Sequence, residues 1–169
     1  MLYRVMTLTT LAFAAQVAAN FANRDASMST TLVEAFARFG ATLKSPVSGR
    51  SAIADDGSLV LSCSIPCFRR PGPGVLRYED VLSRESPDSK STALLGEHLA
   101  LAREGQLPVR MVVIALALEG KRRRNVYARP DLVGRLTEFD GDHFIVDFTR
   151  LLVEGQQPVA SRSRNRRTV

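Results

Sequence analysis

The sequence predicts one domain of hairpin strands and helices, with a strand buried on both faces in an α/β arrangement. Three features predict it. Two aspartate-glycine turns, Asp55-Asp56-Gly57 and Asp140-Gly141, each stand between strand-like runs, and Asp-Gly supplies the positive backbone dihedral that a tight hairpin needs. An amphipathic helical stretch leads into "RMVVIALAL", residues 110–118, whose apolar residues run without alternation. Such a run is expected of a strand buried on both faces in an α/β arrangement. With 169 residues, 45% of them hydrophobic, the chain has material for one sizeable core rather than two large domains.

The elements follow in order. Residues 5–19, "VMTLTTLAFAAQVAA", are uncharged. They fall short of the roughly 20 apolar residues of a membrane span but match the core of a secretory leader. A leader, a weakly membrane-seeking helix and a packed first helix all fit residues 1–27. The single preceding cation, Arg4, and the cysteine-poor, arginine-rich remainder argue against secretion. The expectation is a cytoplasmic protein with a first segment able to touch the inner membrane. Met28 opens "MSTTLVEAFARFG", which reads as a fresh start with Thr30 or Thr31 as helix cap. Leu32, Val33, Phe36 and Phe39 recur at helical spacing, and Gly40 closes that helix.

Strand-like runs then flank the first Asp-Gly turn, the second ending at Cys63. "IPCFRRPGPG", residues 65–74, is rich in helix and strand breakers and predicts a loop carrying Arg69 and Arg70. Tyr78, Val81 and Leu82 suggest a short amphipathic turn. Ser86 is the expected cap of the next helix, with Pro87 in its first position and Asp88 at the positive end of its dipole. Leu95, Leu99 and Ala102 would face the core and Glu97 and His98 the solvent. After the doubly buried strand, "EGKRRRN" turns the chain, "VYA" continues an adjacent strand, and "RPDLVGRLTEF" forms another. Beyond the second Asp-Gly turn, Phe144, Val146 and Phe148 share one face of a final strand. The sequence thus divides into residues 1–27, a domain over 28–150, and a basic tail over 151–169 whose arginines, Arg162 to Arg167, lack apolar periodicity.

The net charge of +6 and a sequence pI near 10.0 favour an anionic partner such as DNA, RNA, nucleotide or acidic membrane. Lys121, Arg122, Arg123 and Arg124 are consecutive cations in a turn, which repel one another unless a polyanion neutralises them. They are candidate anion-binding residues, and the competing reading is a solvated hairpin tip. Ser89, Lys90, Ser91 and Thr92 would stand at a helix start, where exposed amides hold a phosphate. The competing reading is a helix cap alone, and the glycines of a P-loop are absent.

Glu79 with Asp80, Glu97 with His98, and Asp140 and Asp142 with His143 are the groups able to move protons or hold a divalent metal, none at a diagnostic spacing. Cys63 and Cys67 are too few for a disulfide framework. Gathered with His98 and His143 they offer zinc-ligand types without the spacing of a compact zinc motif.

Three long strings, "FGATLKSPVSGRSAIADDGSLVLS", "RESPDSKSTALLGEHLALAREGQLPVRMVVIALA" and "RPDLVGRLTEFDGDHFIVDF", resemble the Osa (oncogenic suppression activity) family of fertility inhibition proteins of conjugative plasmids, to which the inhibitor FiwA is related. The resemblance covers residues 1–150 and implies a ParB/sulfiredoxin-like fold of the α+β class, a small mixed β-sheet with helices. The helix, Gly-x-x-Pro and strand over residues 94–116 resemble the first conserved block of the ParB family.

The resemblance also implies an activity: a DNase with ATPase activity whose cleavage of DNA responds to nucleotide, blocking T-DNA or plasmid transfer through a type IV secretion system. ATP and Mg²⁺ are the implied cofactors. DNA is the implied partner and the secretion coupling protein a further one. Within it, Ser89 to Thr92 become the nucleotide-phosphate candidates, Lys121 to Arg124 contact DNA, and Glu79, Glu97 and His98 are the candidates for catalysis. The Gly-x-Arg-Arg turn of ParB and the Gly-Cys-His-Arg turn of sulfiredoxin are both missing, so those families' phosphate contacts and cysteine do not transfer. A non-enzymatic inhibitor that binds DNA or the coupling protein is the alternative.

Overall fold

The computed structural model describes residues 27–29, 31–46, 49–84, 89–116 and 124–151. They form an α+β domain around one mixed sheet. Its strands are β1 (Ser27–Ser29), β2 (Ser51–Ile53), β3 (Leu59–Ser64), β4 (Phe68–Gly72), β5 (Val75–Val81), β6 (Pro108–Leu116), β7 (Arg124–Phe139) and β8 (His143–Arg150), with helices α1 (Leu32–Ala37) and α2 (Lys90–Gly105). The strand order is β2-β3-β6-β7-β8-β5-β4, and β1 pairs with the first half of β7. Only β3 and β6 run parallel. The segment that joins them, holding β4, β5 and α2, is the long crossover a parallel pair requires.

The doubly buried strand is β6. Val109, Met111 and Val113 face a large cluster with Leu95, Leu99 and Ala102 of α2, whereas Val112 faces a smaller one with Ala35 and Phe36 of α1. Alternation along β3 splits in the same way: Leu59, Leu61 and Cys63 point to the α2 side and Val60 to the α1 side. The Asp-Gly turns form as read, Gly57 at φ +81° and Gly141 at φ +107°, and Phe144, Val146 and Phe148 of β8 are fully buried on the α2 side. Thr31 caps α1 in a reciprocal box with Glu34. Of the residues spaced for that helix, Phe36 is buried but Val33 is exposed.

Four expectations are corrected. The breaker-rich "IPCFRRPGPG" holds a 3-10 turn (Ile65–Cys67) and the edge strand β4. Pro71 is tolerated there because it lies in a bulge between Arg69 and Gly72 on a strand paired only with β5. Tyr78 and Val81 belong to β5 rather than to an amphipathic turn, because that segment pairs with β8 from Leu76 to Val81; Leu82 opens a 3-10 turn (Leu82–Arg84).

Helix α2 is capped by Ser89 rather than Ser86: the Ser89 hydroxyl accepts the Thr92 amide at 3.0 Å. Residues 124–139 form one strand rather than two. Pro130 breaks no ladder because it falls in a bulge on the β6 side, where the register passes from Met111↔Arg129 to Val109↔Gly134. Arg129 and Asp131 form a bidentate pair across it, at 2.7 and 2.6 Å.

Candidate functional site

Beyond the 3-10 turn that follows β3, the structure gathers a polar cluster inside the α2-side core. Strand alternation places it there: Tyr78 and Asp80 of β5 point inward and Glu79 between them points out, by the period of two. Asp80 is 4% exposed. Its Oδ2 accepts the Tyr78 hydroxyl at 2.8 Å and Arg50 Nη2 at 3.2 Å. Its Oδ1 accepts the Val81 amide at 2.8 Å and Arg84 Nε at 2.9 Å. With four donors on two oxygens, the carboxylate has its acceptor sites filled and is a holder of cations rather than a base. Arg84 also donates from Nη1 to Cys67 Sγ at 3.0 Å.

Both cysteines are free thiols. Burial pushes the Cys63 thiol well up and the Cys67 thiol up, so neither is set for nucleophilic attack at neutral pH. Burial likewise pushes the Tyr78 phenol well up, which keeps it a hydrogen-bond donor to Asp80.

The residues singled out in the sequence are dispersed around this cluster. Glu79 lies on the exposed sheet face opposite α2, where His143 Nε2 is 3.0 Å from its Oε1. That hydrogen bond raises the His143 pKa above its ordinary value. Glu97 is exposed on α2. His98 is half-buried rather than solvent-facing, its Nδ1 2.9 Å from Ser51 Oγ of β2. Burial, helped by Lys44, holds its pKa below the ordinary value. Ser51 is itself buried, so the pair docks α2 onto β2.

Glu79 is therefore on the other side of the sheet from Glu97 and His98, and the three do not form a shared ligand set for magnesium. His143 is separated from Cys63, Cys67 and His98 by the same sheet, which removes the basis for a four-ligand zinc site. Among the described residues, no group of three or more His, Cys, Asp or Glu is placed to hold a metal ion.

Ser89 and Thr92 use their hydroxyls on each other, 2.7 Å apart, and on the helix cap. Lys90 is exposed, Ser91 half-buried and Thr92 buried. Arg124 opens β7, and Lys121, Arg122 and Arg123 lie outside the described residues, as do residues 1–26 and the tail from 152. Among the described residues no helix is long and apolar enough to cross a membrane.

Sequence reasoning singled out Glu79 and missed Arg50, Tyr78 and Arg84. The alternation Tyr78-Glu79-Asp80 would have marked Tyr78 and Asp80 as sharing a face, had the segment been read as a strand. Arg50 had no local signal: it meets Asp80 only through the β2–β3–β6 sheet and its crossover. Compared with family models, with curated proteins and with solved structures, the chain matches none.

Proposed function

We propose that the chain is a plasmid fertility inhibition factor of the Osa type, cytoplasmic, with a ParB/sulfiredoxin-like fold. It acts on DNA as a nucleotide-responsive deoxyribonuclease with ATPase activity and so blocks T-DNA or plasmid transfer through a type IV secretion system. One observation carries the reading. The strings that resemble that family include the unit of helix, Gly105-Gln106-Leu107-Pro108 and strand, and this unit forms α2 and β6, an interior strand of the mixed sheet.

The net charge of +6 supports an anionic substrate. In this reading Lys121 to Arg124 contact the DNA backbone and ATP and Mg²⁺ are the cofactors. The separation of Glu79 from Glu97 and His98 favours a second reading, a non-enzymatic inhibitor that occupies DNA or the secretion coupling protein.

Salt separates a DNA-directed factor from one that only binds protein. Binding of a labelled duplex should weaken with a log–log slope of about −0.9 per phosphate contacted. The Arg122→Ala, Arg123→Ala, Arg124→Ala variant should make that slope shallower by roughly 3 units. A wild-type chain that binds no DNA at low salt would remove the DNA-directed reading and leave the coupling protein as the target.

A further inference from the structure

We draw no further inference here: the strongest candidate, the Ser51–His98 pair in the seam between α2 and β2, carries nothing of its own, because Ser51 is 2% exposed and its 2.9 Å bond with the imidazole belongs to the docking of α2 onto β2 already described.

Discussion

Asp80 is the residue on which the polar cluster turns. Asn at this position keeps the shape but removes the charge that the buried Arg50 and the exposed Arg84 guanidiniums share. Asp80→Asn should therefore cost about 3–5 kcal/mol in urea unfolding, the usual result of stripping one partner from a buried ion pair. A loss below about 1 kcal/mol would show that the cluster is hydrated and electrostatically slack.

The two histidines make opposite predictions for pH. His143 is raised by its hydrogen bond with Glu79, so its contribution to stability is complete below about pH 6.5 and is lost as pH rises through the higher folded value. His98 is lowered by burial and Lys44, so its contribution is present above about pH 6.5 and lost as pH falls through the lower folded value. NMR titration of the imidazole protons should show the two transitions on either side of the ordinary value. Glu79→Gln should bring His143 down and leave His98 in place; a His143 midpoint that does not move would refute the pairing.

At the scale of elements, Ser89→Ala tests whether the start of α2 is a cap. It should cost about 1 kcal/mol, read by chemical denaturation, because the Thr92 amide loses its acceptor. Close packing of β7 on β8 gives a second test. A Cβ added at Gly134 would lie 2.5 Å from the Phe148 ring and 2.8 Å from Val146 Cγ1. Gly134→Ala should destabilise the domain by about 1–3 kcal/mol by overpacking.

Much of this scale was legible beforehand. The Asp-Gly turns, the capping threonine, the uninterrupted apolar run of β6 and the alternation of β8 are local patterns, and each formed. The β4–β5 hairpin was not legible because its prolines sit where an edge strand tolerates them, and edge position is a property of the sheet rather than of the segment. The single long β7 was hidden for a related reason. Pro130 breaks a strand only if its missing N–H is needed, and the bulge makes it unnecessary.

For the whole molecule, the core was more legible than the site. The hairpins, the helices and the doubly buried strand follow from patterns within 20 or so residues of sequence, the scale on which period and turn chemistry operate, whereas the mixed α+β sheet was implied only by the family resemblance. The polar cluster joins Arg50 to Asp80, 30 positions apart, and draws on Cys67 and Arg84 as well. No spacing rule announces such a meeting, since the crossover between β3 and β6 creates it. Glu79 and Asp80 looked equivalent as neighbouring acids, yet the strand sends one to solvent and the other into the core.

The central claim, a nucleotide-responsive action on DNA, is most directly tested by following labelled single- and double-stranded DNA with the purified chain, with and without ATP and Mg²⁺. The account predicts cleavage whose rate changes with ATP and falls in the Arg122→Ala, Arg123→Ala, Arg124→Ala variant. DNA left intact under every condition by folded protein would contradict it and make occupancy of the coupling protein the mechanism to pursue.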